Sequence, residues 1–290
     1  MIVENNRVDI VYHYCSLDVF ISIIQNATLW LSDILKSNDS QECIWIRDRI
    51  KTRIEAYLAK ENEKYLKVWE TGYQINPTLN SMGAILYVGC FSESADKLSQ
   101  WRGYADSGAG VAIGISTKCL YSINGKNPYG PHFGKVIYSI EEQDELVKGI
   151  VEENINNMQK KGIGHVALEL NSNYSLQFPF CKNPSFDEEK EWRIVACTRP
   201  ENEGIKKDFS GLRFSKAKLR NSNGKLISYL EMDFSQIKNQ FVKEIWIGPK
   251  AQFSQRDIMN VLLTNGYYCK SSGYSFEEPI LIQHSKCSYR

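Results

Sequence analysis

The first well-patterned stretch of the chain, residues 10–33, reads as a strand, a helix and a second strand. The apolar run at residues 10–12 is typical of a buried strand, and residues 29–31 begin another. The intervening helix has apolar residues at helical spacing, with Ser16 as its N-cap and Asn26 closing it in a left-handed conformation. His13 follows the first strand, where we expect a ligand to reach its imidazole.

Two later stretches have long helical patterns and are predicted to be helical insertions near residues 40–70 and 139–162. In the first, isoleucine or leucine recurs every four residues from Ile46 to Leu58, after a cap at Asp39 or Ser40. In the second, Ser139 and Glu142 form a capping box ahead of an apolar face.

Strand patterns lie between and after these helices. Those predicted are 84–91, 111–116, 135–138, 194–197, 211–214, 225–232, 242–247 and 280–283, with short helices at 96–105 and 254–263. No internal repeat or low-complexity linker divides the chain. The pattern therefore predicts one α+β domain over residues 1–290, with a mixed, strand-rich core.

Composition limits the classes of function. The chain has 290 residues, of which 42% are hydrophobic and 24% charged, and its formal net charge is +1. This balance gives no global field toward nucleic acid or membrane, although it leaves room for a local basic groove. The N-terminus lacks a secretory pattern, and no apolar run approaches the roughly 20 residues that span a bilayer. A cytoplasmic protein without membrane partners is expected.

The eight cysteines are scattered and form no CxxC pair. Such spacing predicts reduced, mostly buried thiols and argues against zinc. No metal is expected.

The candidate catalytic residues are most concentrated where acidic residues precede the apolar strand at 194–197. Glu189 and Glu191 are two residues apart, so an extended backbone would point both to one face, which Arg193 continues. One interpretation is a charged sheet edge. The other is a buried functional pair, because Trp192 and Ile194 indicate a strand that is at least half buried and an unpaired carboxylate is costly there.

Six short blocks in order resemble an uncharacterised bacterial family, a domain of unknown function. They are Tyr12-His13-Tyr14, Asn38-Asp39-x-x-Glu42, Cys90-Phe91-Ser92, Trp101-x-x-Tyr104-Ala105-Asp106, the EKEWRIV segment at 189–195, and Ile247-Gly248-Pro249. They extend over most of the chain. The label itself says little about chemistry.

A more distant resemblance is to the ADP-ribosyltransferase superfamily, whose members often begin with a strand ending in a Tyr-His-like pair, then a helix and a short strand. Tyr12-His13-Tyr14 through Leu31-Ser32 is similar to that beginning. The resemblance implies a split sheet and NAD as substrate. It also implies that His13, flanked by Tyr12 and Tyr14, holds a ribose.

The same resemblance assigns roles to later residues. Tyr104 or Trp101 would stack on nicotinamide, and Arg102 or Arg193 would meet a pyrophosphate oxygen. Glu191 would act on the ribose whose glycosidic bond breaks, with Glu189 orienting the acceptor or serving as base.

The leading hypothesis is therefore an NAD-using enzyme that transfers ADP-ribose to a protein, a nucleic acid or water. By analogy it would be a bacterial toxin or phage-defence effector. One alternative is an enzyme or binder acting on nucleic acid through Lys and Arg beside Trp and Tyr. Another is a partner-binding module without catalysis. The enzyme hypothesis expects His13, Tyr104 and Glu191 to line a single crevice.

Overall fold

A mixed sheet forms the centre of the computed structural model, which describes residues 8–36, 44–61, 85–125, 130–161, 177–199, 205, 208–222, 224–269 and 279–289. Within these ranges the sheet has eleven strands. They are β1 (Ile10–Cys15), β2 (Thr28–Asp33), β3 (Ile85–Ser92), β4 (Val111–Ser116), β5 (His132–Lys135), β6 (Glu191–Thr198), β7 (Arg213–Phe214), β8 (Lys218–Ser222), β9 (Lys225–Asp233), β10 (Val242–Ile247) and β11 (Leu281–His284).

Helices pack on both faces of this sheet. The α-helices are α1 (Leu17–Asn26), α2 (Ile44–Glu61), α3 (Leu98–Tyr104), α4 (Thr117–Tyr121), α5 (Ile140–Lys161), α6 (Lys238–Phe241) and α7 (Gln255–Thr264). Short 3₁₀ turns lie at Ile34–Lys36, Asp106–Gly108, Phe178–Phe180, Pro184–Glu189 and Ser235–Ile237. The protein is thus α+β, as predicted. Helices α2 and α5 lie within the ranges 40–70 and 139–162 that were predicted as helical insertions.

Strand β3 is the branching point of the sheet. Along one edge it pairs antiparallel with β6 from Ile85 to Ser92. Its other edge is shared, because β1 pairs with Ser92 through Tyr12 and β2 pairs near Val88. The sheet therefore opens between β1 and β2, with β4, β10 and β11 continuing beyond β1 and β9 beyond β2.

One face of the sheet carries the largest apolar core. Helices α1 and α7 cover it through buried side chains that include Phe20, Ile24 and Ile258. Ser16 caps α1 as predicted, since its side chain accepts from the Val19 amide. Each Å² of apolar surface buried here contributes roughly 25 cal/mol, so this layer stabilises the fold.

Two separate clusters cover the other face. Helix α3 packs Trp101 and Ala105 against Tyr14 and Ala112 of β1 and β4. Helices α2 and α5 form the second cluster, which covers β3 and β6 around Val88 and Val195. The start of β6 lies where these two clusters meet.

Several local predictions were wrong. Strand β1 continues to Cys15, so His13 lies inside the strand opposite Ile113 and not at its end. The left-handed residue after α1 is Ala27, with φ of 49°, and not Asn26. The strand predicted at 135–138 is β5, which ends at Lys135. The helix caps at Asp39 and Ser40, and the block at 38–42, lie outside the described residues.

Candidate functional site

The two carboxylates singled out from the sequence lie on either side of Lys190, where a 3₁₀ turn meets β6. Glu189 is the last residue of the 3₁₀ turn Pro184–Glu189, and Glu191 is the first residue of β6. Lys190 between them is left-handed, with φ of 44°. The predicted extended backbone is therefore wrong at Glu189, but the side chains still converge on a common partner.

That partner is Lys182, which no sequence pattern had indicated. Its Nζ lies 2.7 Å from Glu189 Oε2 and 3.3 Å from Glu191 Oε2, and 4.6 Å from the ring centre of Phe186. Its side chain is only 7% exposed. Burial by itself lowers the pKa of Lys182, but the two carboxylates raise it above its ordinary value. The ammonium is therefore charged, and it bridges the carboxylate pair.

Glu191 is held more firmly than Glu189. Arg193 donates from Nε to Glu191 Oε1 at 2.9 Å and from its terminal nitrogen to Oε2 at 2.8 Å. Burial raises the pKa of Glu191, but Arg193 and Lys182 outweigh it and hold the pKa at about 2. Since β6 pairs with β3 and β5 and Glu191 is 6% exposed, the pair does not form a charged sheet edge.

Tyr104 connects α3 to the same cluster. Its hydroxyl donates to Glu189 Oε1 at 3.2 Å, while 44% of the residue remains exposed. Burial and the neighbouring Glu189 raise the pKa of Tyr104, so its hydroxyl keeps its proton. Close by, the Lys97 ammonium donates to the backbone carbonyl of Glu188. These two contacts join α3 to the turn that carries Glu189.

The other predicted aromatic residues, Trp101, Tyr14 and Tyr12, contact protein groups around α3 and β1. Trp101 is fully buried, and its Nε1 donates to Asp96 at 2.7 Å. Tyr14 packs edge-on against Trp101, with 4.8 Å between ring centres, and donates to the Ser94 carbonyl at 2.8 Å. Tyr12 donates to Glu244 at 2.5 Å. The contacts of Trp101 and Tyr14 place α3 on the sheet and thereby position Tyr104.

His13 is not brought together with the carboxylates. Tyr12, Ser92 and Glu191 are in register across β1, β3 and β6, so their side chains share a face and that of His13 points to the other. The imidazole Nδ1 lies 3.2 Å from the Cys90 carbonyl oxygen, and the ring contacts Phe91 edge-on. Burial lowers its pKa, which favours a neutral ring.

A second buried polar residue, Gln143 of α5, hydrogen-bonds to the backbone of Lys182. Its Nε2 donates to the carbonyls of Lys182 and Ile137, both at 2.8 Å, and its Oε1 accepts from Trp45 Nε1 at the same distance. The α2–α5 layer is thus bonded directly to the residue that bridges the carboxylates. In the sequence, the only sign of this role of Gln143 is that a glutamine lies on the apolar face of a predicted helix.

Arg102 lies on the exposed side of α3, with its guanidinium 4.7 Å from the ring centre of Tyr289. Arg102 is thus separate from Arg193, whose guanidinium pairs with Glu191. Within the described ranges, no group of three or more His, Cys, Asp or Glu side chains is placed to hold a metal ion. Nor is any helix of the described part long and apolar enough to cross a membrane.

Comparison with known families gives one match. Residues 100–194 match the model of a family described as "Protein of unknown function (DUF2971)". The predicted resemblance to a domain of unknown function is therefore confirmed for that part of the chain, which contains Tyr104, Lys182 and the Glu189–Arg193 segment. No curated protein and no solved structure matches the chain.

Proposed function

We propose that this protein is an ADP-ribosyltransferase-like enzyme, which cleaves the nicotinamide–ribose bond of NAD and transfers ADP-ribose to a macromolecule or to water. The observation that carries the proposal is the convergence of Glu189 and Glu191 on Lys182, with the Tyr104 hydroxyl on Glu189. Two carboxylates beside an exposed aromatic ring suit a reaction that develops positive charge on a sugar.

The reaction breaks the bond between the ribose C1′ and the nicotinamide nitrogen, and the electron pair leaves with nicotinamide. The C1′ centre becomes oxocarbenium-like, as in glycoside hydrolysis. Fixed carboxylates stabilise such a charge without having to reorganise. An acceptor oxygen or nitrogen then bonds to C1′ and loses its proton to a base.

We divide these tasks between the two carboxylates according to their exposure. Glu189 has the more exposed side chain, 17% against 8% for Glu191, and we assign it contact with the ribose hydroxyls and the acceptor proton. Glu191 adds negative charge and, with Lys182, keeps Glu189 in position. Glu189 therefore takes a larger share of the chemistry than the family resemblance implies.

Tyr104 is the candidate platform for the nicotinamide ring. Its ring is partly exposed next to Glu189, whereas Trp101, the alternative from sequence, is fully buried. An aromatic side chain binds a flat ring by offset stacking, worth about 0.5–1.5 kcal/mol beyond buried area. We assign His13 no contact with NAD, because its side chain lies on the other face of the sheet.

The branching of the sheet at β3 also favours the proposal. The superfamily resemblance implies a split sheet, and here β1 and β2 separate along one edge of β3. The start of β6, which carries Glu191, pairs with the opposite edge of β3 beside this opening.

The test is nicotinamide release from NAD by the purified protein, with water or a cell lysate supplying the acceptor. We expect Glu189→Gln to reduce release by about 10²-fold or more, the scale of losing one fixed electrostatic group. Asp187→Asn, an exposed change in the same turn, is the matched control and should keep full activity. Release that is absent in the wild type, or equal in Glu189→Gln, would end the proposal.

A further inference from the structure

A basic surface lies at the end of the sheet that β7, β8 and β9 form. Between residues 209 and 230 the chain has five lysines or arginines and neither aspartate nor glutamate. The five are Arg213, Lys216, Lys218, Arg220 and Lys225. Since the formal net charge of the whole chain is only +1, this excess of positive charge is local, and it attracts an anionic partner to this end of the sheet.

Strand pairing places cations of this surface beside an aromatic pair. The register of β2, β8 and β9 gives Trp30, Tyr229 and Arg220 a common face, because the side chains of paired residues point the same way. The ring centres of Trp30 and Tyr229 are 4.7 Å apart, and the Arg220 guanidinium carbon is 5.4 Å from the Trp30 ring centre. Arg220 also donates to Ser32 Oγ at 3.2 Å. These contacts hold the indole ring and the guanidinium in fixed positions.

Three of the five cations remain available to an anion. Ion pairs neutralise the other two, because Arg213 lies 2.9 Å from Asp233 and Lys218 lies 2.6 Å from Glu231. Those that pair with no carboxylate in the described part of the chain are Lys216, Arg220 and Lys225. The first and last of these are exposed, so the surface keeps a net positive charge.

Trp30 distinguishes between possible anionic partners. It is 41% exposed, whereas tryptophan is highly buried on average. An unpaired nucleic-acid base can stack on an aromatic ring or on an arginine plane, while lysines contact the phosphates. A duplex keeps its bases stacked on each other and would use only the charges.

We propose that this surface binds a single strand of nucleic acid, with bases on Trp30 and Arg220 and phosphates at Lys216 and Lys225. It is built on β2, β8 and β9, whereas the carboxylate pair lies at the start of β6. The inference therefore goes beyond the proposed function and does not depend on cleavage of NAD.

The experiment is fluorescence anisotropy with labelled oligonucleotides of about 20 nucleotides, in the absence of NAD. One arm uses single-stranded DNA, a second uses single-stranded RNA, and a third uses the DNA duplex. We expect at least one single strand to bind more tightly than the duplex. Raising the salt from about 50 mM to 200 mM should weaken that binding roughly tenfold, since about three phosphates are neutralised.

Substitutions test the two parts of the surface separately. Trp30→Ala should weaken binding of the single strand at least about fivefold, the equivalent of about 1 kcal/mol, and Trp30→Phe should restore most of it. Lys216→Gln combined with Lys225→Gln should reduce the salt dependence. The matched control is Arg256→Gln, which removes an exposed cation from α7 on the opposite face of the sheet and should bind as the wild type does.

Several outcomes would overturn the inference. They are the absence of salt-dependent binding, equal or tighter binding of the duplex, and wild-type affinity in Trp30→Ala. Binding only to vesicles of phosphatidylserine and phosphatidylcholine would assign the surface to a lipid instead. If Trp30→Ala fails to fold, Arg220→Gln replaces it with the same expected loss. Nicotinamide release is measured in a separate assay, so a failure of the proposed function leaves this result unchanged.

Discussion

At the scale of single residues, the site consists of two carboxylates and two cations, of which Lys182, Glu191 and Arg193 are buried and Glu189 is partly exposed. The sequence indicated Glu189, Glu191 and Arg193, because they stand together at the start of a strand. It did not indicate Lys182, which is seven and nine residues from the two carboxylates and contacts them across the 3₁₀ turn Pro184–Glu189. Strand and helix periodicities relate residues within one element, so they give no information about such a contact.

Glu191 gives a prediction for acid stability. Its pKa in the folded protein is about 2, below the ordinary value of 4.5, so the unfolded chain binds more protons between these values. Its stabilising contribution is therefore complete above about pH 4.5 and is lost as the pH falls toward 2. We expect the urea concentration at the unfolding midpoint to fall steeply as the pH is lowered from 4.5 toward 2 in the wild type. In Glu191→Gln the fall should be less steep.

The matched control for that series is Glu145→Gln, an exposed change on α5. It should follow the wild-type pH dependence. Parallel curves for the wild type and Glu191→Gln would show that the Arg193 and Lys182 pairs do not set the acid sensitivity.

At the scale of elements, apolar periodicity predicted the long helices and central strands because burial dictates both. The prediction from apolar periodicity failed where side chains are mostly exposed. Strand β8 was not predicted, since its side chains alternate between exposed and half-buried and it pairs only with β9 among the described strands. Apolar periodicity also predicted too short a strand β1, because the polar His13 interrupts the apolar run. The backbone pairing of β1 nevertheless continues to Cys15.

The turn between α3 and β4 leads to a second prediction. A Cβ on Gly110 would lie 2.1 Å from the Cys15 carbonyl oxygen, and this backbone cannot move aside easily. Gly110→Ala should therefore lower the free energy of unfolding by about 3 kcal/mol or more, the upper range for overpacking. Thermal unfolding measures the loss.

Gly149→Ala provides the comparison for Gly110→Ala. The added methyl group meets open space in α5, and the change should stabilise the helix by up to about 1 kcal/mol. Equal effects of the two substitutions would contradict the close approach of the turn to β1.

At the scale of the whole molecule, the residues after β11, from Ser285 onward, hydrogen-bond to Asp96 just before α3 and so join this helix to the edge of the sheet. The Asp96 carboxylate accepts from Ser285 Oγ at 2.6 Å, from the Lys286 amide at 2.7 Å and from Trp101 Nε1 at 2.7 Å. These donors outweigh burial and lower the pKa of Asp96. One carboxylate thus joins β11, through the residues after it, to the helix that bears Tyr104.

Asp96→Ala should release this segment. The buried Trp101 indole loses its acceptor, so we expect a loss of about 1–3 kcal/mol of stability. Trypsin should also cleave faster after Lys286, as followed by mass spectrometry. The exposed Asp187→Ala is the control. Unchanged cleavage in Asp96→Ala would mean that other contacts hold the segment.

The central position of β3 has a consequence for biosynthesis. Strands β1 and β2 leave the ribosome before β3, but β6, which pairs with the whole length of β3, begins only at Glu191. Until that part emerges, the long edge of β3 is open to neighbouring chains, and open strand edges promote aggregation. The yield of this protein in a cell therefore depends on how well the nascent chain is shielded during that interval.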